Sequence, residues 1–206
     1  MAARFSLEPM SLPDDTALPA TFRHSARTIS PRSPGYDASA KPSAAERLEA
    51  AVIAHKPDLL VIAYGLNDMR AGMAPEAFRA ELEDVLRRVR AVVSPLVVLA
   101  NPYYMTAYRY YPPFDRSDAA VHRRYNDMLR ELARERGCLY ADIYSAMKCD
   151  HVVHQDTVHA NKVGCMLIAH EVFKTIVFAS PGIADGVRHR DEGTDWTRHT
   201  KAWQLQ

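Results

Sequence analysis

The sequence predicts a single α/β domain, a three-layer α/β/α sandwich built on a parallel sheet. Three observations carry this expectation. Short, nearly uninterrupted apolar runs occur at Asp58–Tyr64, Leu96–Ala100 and Cys138–Ile143, and such runs read as strands buried on both faces, hence parallel. Around them lie segments whose apolar residues recur three and four apart, the period of an amphipathic helix. The two kinds alternate along the chain, which calls for a parallel sheet with helices on both faces.

The elements follow in order. Ser43 has the side chain of a helix cap and Glu46 stands where a capping box needs it, so a helix is expected from Ser43 through His55. The run from Asp58 to Tyr64 is the first strand and stops at Gly65. Pro75 opens a second helix, with Phe78, Leu82, Val85, Leu86, Val89 and Val92 on one face. Leu96–Ala100 is the second strand, closed by Asn101-Pro102. Val121, Tyr125, Met128, Leu129 and Leu132 mark a third helix that ends at Gly137. Cys138–Ile143 is the third strand, and a last helix runs from about Asn161 to Phe178. Residues 1–34 are rich in Pro, Ser, Arg and Ala and show no periodicity, so they read as an irregular segment, not native to the fold. The domain proper spans 35–180, and 181–206 is expected to be a polar tail.

Composition excludes several classes. With 206 residues, 48% of them hydrophobic and 25% charged, the chain can bury a real core. A formal net charge of +1 gives no global field for nucleic acid or an anionic membrane. No apolar stretch approaches the ~18 residues that span a bilayer, and the first residues lack the apolar core of a signal peptide, so a cytoplasmic protein is expected. Cys138, Cys149 and Cys165 have neither metal-site nor disulfide-framework spacing and read as reduced thiols.

In parallel α/β sheets ligands bind beyond the carboxyl ends of the strands, and the chemically suggestive residues gather there. Gly65-Leu66-Asn67-Asp68 follows the first strand. Asn67 offers a side-chain NH2 able to meet a developing oxyanion, although the same residues also make ordinary turns. Asp156-Thr-Val-His159 precedes the last helix. A carboxylate three residues before a histidine can hold one ring nitrogen while the other serves as a general base; the bland alternative is a capped helix start beside a surface histidine. His151, His154, Asp156 and His159 form a dense set of metal donors, which makes a metal-dependent hydrolase or a metal-binding module a rival class. A non-catalytic binding domain is the third. The stretch Pro102–Phe114 holds five tyrosines, among them Tyr103 and Tyr104, with Arg109 near its middle. It reads as a substrate-facing wall, against the alternative of a loop packed by its own aromatics.

Taken together, Gly-x-Asn-Asp at one strand end and Asp-x-x-His before the final helix resemble the SGNH (GDSL-like) hydrolase superfamily, over about residues 35–178. The resemblance implies a flavodoxin-like sheet and a serine-type esterase or acyl hydrolase acting on a small ester or acetylated substrate, with no cofactor. It makes His159 the base, Asp156 its orienting acid, Asn67 an oxyanion donor and Gly35 the source of a backbone N–H in the same hole. The family's nucleophile lies in a Gly-Asp-Ser block on its first strand, and no Gly-Asp-Ser occurs in this sequence. The nucleophile is therefore unassigned. The first strand is expected to be missing, through either a disrupted start or a degenerate relative whose sheet closes in another way. Weak or absent activity follows for the chain as written.

Overall fold

The computed structural model describes residues 27–37, 42–109 and 112–180, apart from the side chains of Asp150 and His151. Most of the segment expected to be irregular, and all of the expected tail, lie outside these residues.

Ser43 and Glu46 form the expected capping box. The Ser43 hydroxyl accepts from the Glu46 N–H, and Glu46 Oε2 accepts from the Ser43 N–H at 2.8 Å. They open helix α1 (Ala44–Ala51), which is followed by a short 3-10 turn over Ile53–His55. Strand β1 (Leu59–Ile62) ends just before Gly65, whose φ of +111° starts the short helix α2 (Leu66–Arg70). Helix α3 (Pro75–Arg90), strand β2 (Leu96–Ala100) and helix α4 (Ala119–Glu135) follow close to their expected bounds. Strand β3 (Leu139–Ala141) stops earlier than expected because the Asp142 side chain accepts from Ser145 N and caps helix α5 (Ile143–Ala146). Helix α6 (Lys162–Phe178) is capped by Asn161, whose Oδ1 accepts from Gly164 N at 3.0 Å.

The three strands pair in parallel in the order β1-β2-β3, with Leu59 opposite Leu96 and Val98 opposite Leu139. Side chains alternate between the two faces of a sheet. Leu60, Ile62, Val97 and Leu99 therefore face α1, α3 and α4, where Phe78, Leu82, Val85, Tyr125, Leu129 and Leu132 build the main core. Val98, Ala100 and Ala141 face Ile168, Val172 and Ile176 of α6 on the opposite side. This is the three-layer arrangement the alternation of elements predicts.

One expectation is corrected. β1 was expected to be covered on both faces, yet Leu59 and Val61 are 44% and 40% exposed. α6 lies over β2 and β3, and β1 has no second strand neighbour among the described residues. The expectation of a missing first strand fits this open edge. Residues 27–37 contain neither strand nor helix, but they are not detached from the core. Ile29 is fully buried in it, and the carbonyls of Thr28 and Ile29 accept from the first two N–H groups of α1 at 3.0 and 2.9 Å. No helix among the described residues is long and apolar enough to cross a membrane.

Candidate functional site

The carboxyl ends of the three strands carry the site. At β1, Gly65 adopts a left-handed conformation that favours glycine, and a Cβ there would stand 3.1 Å from the Phe78 ring and 3.4 Å from Pro102. The sharp turn sets Asn67 and Asp68 on α2, and both reach back to the N-terminal segment. Asn67 Nδ2 donates to Arg27 O at 3.1 Å, and Ile29 N donates to Asp68 Oδ1 at 2.9 Å. Asp68 is wholly buried. Burial pushes its carboxyl up to about 6, against the opposing pull of the Ile29 N–H. The Ser33 hydroxyl lies beside it, but among the described residues Asp68 Oδ2 accepts no well-formed hydrogen bond.

The loop before α6 is tightly closed. His154 and Ala160 form an antiparallel bridge, Gln155 N donates to His159 O at 2.8 Å, and Asn161 N donates to Val153 O at 3.0 Å. Inside it, Asp156 Oδ1 accepts from Val158 N and His159 N at 2.6 and 2.7 Å, and Asp156 Oδ2 lies 2.7 Å from His159 Nδ1. Partial burial alone would raise the Asp156 carboxyl. The N–H groups of His159 and Val158 and the imidazole outweigh it and hold the group below its ordinary value. With Nδ1 on the carboxylate, the ring's Nε2 is directed to the opposite side, and 61% of the His159 side chain is exposed.

β2 delivers the aromatic loop between these two. Tyr103 is the meeting point: the charges of Asp156 and of Arg70, three residues beyond Asn67, both act on its hydroxyl. Burial is the main cause that pushes this hydroxyl up to about 12. Tyr104 packs edge-on against Tyr144 and His154, with centroids 5.6 and 6.1 Å apart. Arg109 is exposed at the outer end of the loop. Tyr103 and Tyr104 thus stand beside the His159 loop, while much of their surface is spent on protein partners.

Gly35 packs under the end of α2, where a Cβ on it would meet Ala71 Cβ at 2.7 Å and the Phe114 ring. The backbone that touches Asn67 is Arg27. His154 Nε2 is spent on Tyr104 O at 2.7 Å, and Asp156 on the bonds already described. Among the described residues no group of three or more His, Cys, Asp or Glu is arranged to hold a metal ion; the His151 side chain lies outside them. Among the serines upstream of β1, Ser6, Ser11 and Ser25 also lie outside the described residues. Ser30 and Ser33 are buried, and Ser43 caps α1.

Two residues that position the site escaped the sequence reading. His122 is fully buried, with Nε2 on Pro102 O at 3.0 Å and Nδ1 on the Tyr108 hydroxyl at 3.1 Å. A carbonyl can only accept, so Nε2 carries the proton and Nδ1 accepts from Tyr108. Burial lowers this imidazole below its ordinary value. Asn101, also buried, donates to Asp142 Oδ1 at 2.9 Å and accepts from Tyr144 N at 3.0 Å, joining the ends of β2 and β3. The position of Asn101 at the close of β2 is the only sequence signal of its role, and His122, within α4, gives none.

The architecture resembles solved structures. The acetylxylan esterase Axe2 from Geobacillus stearothermophilus aligns with a TM-score of 0.53 at 23% identity, over 65% of each chain. LAE5, an alpha/beta hydrolase enzyme from the metagenome of Lake Arreo, aligns with a TM-score of 0.52 at 23% identity, over 64% of this chain and 65% of its own. The chain thus spans just under two thirds of the length of these structures. No curated protein matches it. The sequence profile of the GDSL-like lipase/acylhydrolase family matches residues 16–166, which takes in β1 through the start of α6, the Gly65–Asp68 turn and the Asp156–His159 loop. Joined to the parallel three-layer fold, that match settles the ancestry: the chain belongs to the GDSL-like lipase/acylhydrolase family.

Proposed function

We propose that the chain carries the acid-base half of a serine-type ester hydrolase, with a small ester or an acetylated molecule as substrate. The observation that supports this most is the 2.7 Å contact between Asp156 Oδ2 and His159 Nδ1 at the carboxyl edge of the sheet. In this reading His159 Nε2 takes the proton of an attacking hydroxyl as general base. Asp156 stays ionised, holds the ring in the needed tautomer and steadies the imidazolium. Asn67 carries two amide N–H donors. One rests on Arg27 O, and the other is assigned to the oxyanion that forms at the carbonyl. The acetylxylan esterase among the structural neighbours supports an acetyl ester as the first substrate to try.

The nucleophile is the open part of this reading, because the chain has no Gly-Asp-Ser block. Weak or absent hydrolysis of p-nitrophenyl acetate is therefore expected from the chain alone. Fluorophosphonate labelling followed by peptide mass spectrometry is the test. Stoichiometric labelling of one serine, abolished by His159→Ala, names the nucleophile and upholds the assignment of the base. Turnover that survives His159→Ala unchanged removes His159 from the mechanism.

A further inference from the structure

We infer that His154 is a positioning residue: it ties the Asp156–His159 loop to the aromatic loop after β2 and so sets where the base stands. This deepens the serine-hydrolase reading and rests on its assignment of His159. The Asp156–His159 contact is local, spanning three residues. It shapes the loop but does not by itself fix the loop's place over the sheet. That place is set by bonds to the segment that leaves β2. His154 Nε2 donates to Tyr104 O at 2.7 Å, and Thr106 N donates to Thr157 O at 3.1 Å. His154 stands where these constraints converge. It is 8% exposed, its ring meets Tyr104 edge-on at 67°, and its backbone bridges Ala160 to close the loop around Asp156 and His159. A carbonyl acceptor requires that Nε2 carry its hydrogen. A side chain already given to a backbone carbonyl also accounts for this histidine without a metal ion.

Two substitutions in the full chain separate positioning from mere packing. His154→Leu keeps the bulk and loses the donor, whereas His154→Gln keeps an N–H donor of similar reach. The readouts are amide hydrogen exchange at Thr106, Val158 and His159, and the NMR line of the His159 Nδ1–H proton, which is sharp while Asp156 holds it. The expected result for His154→Leu is exchange at least about tenfold faster at these amides and a broadened Nδ1–H line, with thermal midpoint little changed. His154→Gln is expected to restore both. Unchanged exchange and line shape in His154→Leu overturn the proposal, as does a glutamine variant that behaves like the leucine one. Global unfolding of His154→Leu beside a folded glutamine variant shows that the bond holds the whole fold rather than placing this loop, and also overturns it. None of these readouts depends on turnover, so the hydrolase reading stands or falls separately by the labelling experiment.

Discussion

Asp156 uses both oxygens on one short loop: Oδ2 lies 2.7 Å from His159 Nδ1, and Oδ1 accepts the N–H groups of Val158 and His159. Loop shape and ring orientation thus share a single carboxylate. Asp156→Asn separates the two. The amide oxygen can still accept from the backbone, but an NH2 then faces Nδ1 and turns the ring into the Nε2–H tautomer, which cannot take a proton. The expected outcome is a folded protein that has lost the His159 Nδ1–H resonance, with any esterase turnover reduced by about 10⁴. The pH dependence has a definite sign. The folded carboxyl lies below its unfolded value, so its stabilisation is present above about pH 4 and is lost as pH falls through the folded value. Thermal melts from neutral to acid pH check this: the wild type should lose more stability than Asp156→Asn over that window.

Asp68 carries the opposite sign. Burial raises it to about 6 from an unfolded value near 3.8, so the folded state favours the protonated form. Its contribution is therefore present below about pH 4 and lost as pH rises through about 6. Above that pH the fold holds an ionised carboxylate with little solvation. Asp68→Asn keeps an oxygen for the Ile29 N–H and removes the charge. It is predicted to stabilise the protein by about 1–3 kcal/mol at pH 7.5, a gain that disappears near pH 4. Urea denaturation at the two pH values measures it, and a less stable variant at pH 7.5 contradicts the account.

What was legible in the sequence divides along physical lines. α3 and α4 were readable because two or more turns of apolar spacing leave an unmistakable period, and α1 because Ser43 and Glu46 lie within one turn of each other. Asp156 and His159 were readable for the same reason, since their contact spans only three residues. α2 and α5 were not, because helices of five and four residues have no period to show. They are set by the backbone of Gly65 and the cap of Asp142. The exposure of β1 was hidden too, since Leu59-Leu-Val-Ile62 has the same composition whether or not a helix covers it. The contacts Asn67 to Arg27 and His122 to Pro102 join residues 40 and 20 apart, and nothing local announces them.

Gly164 tests how closely α6 meets the His159 loop. A Cβ at this position would run into the Val153 carbonyl oxygen and stand 2.9 Å from Met147. Its N–H also donates to Asn161 Oδ1, the cap of α6. Because the obstacle is backbone, the strain cannot be relieved by turning a side chain. Gly164→Ala is expected to cost about 1–3 kcal/mol, despite alanine's better helix propensity, and to disturb the Asn161 N to Val153 O bond that closes the loop. Chemical denaturation measures the loss. Faster exchange at Asn161 and His159 than at the core amides of β2 would localise it to the loop.

Asn67 joins stability to the proposed chemistry. Its Nδ2 bond to Arg27 O and the neighbouring bond from Ile29 N to Asp68 are a two-point clamp holding residues 27–29 beside the turn after β1. Asn67→Ala removes one point of that clamp and the assigned oxyanion donor together. The bond is solvent-exposed, so the expected stability loss is small, about 0.5–1 kcal/mol. Any p-nitrophenyl acetate turnover the chain supports is expected to fall about a hundredfold or more, the usual cost of one oxyanion donor. The two effects differ in kind, and measuring both on the same variant tells them apart. A stability loss with undiminished turnover leaves Asn67 as a tether for Arg27 and takes it out of the oxyanion hole.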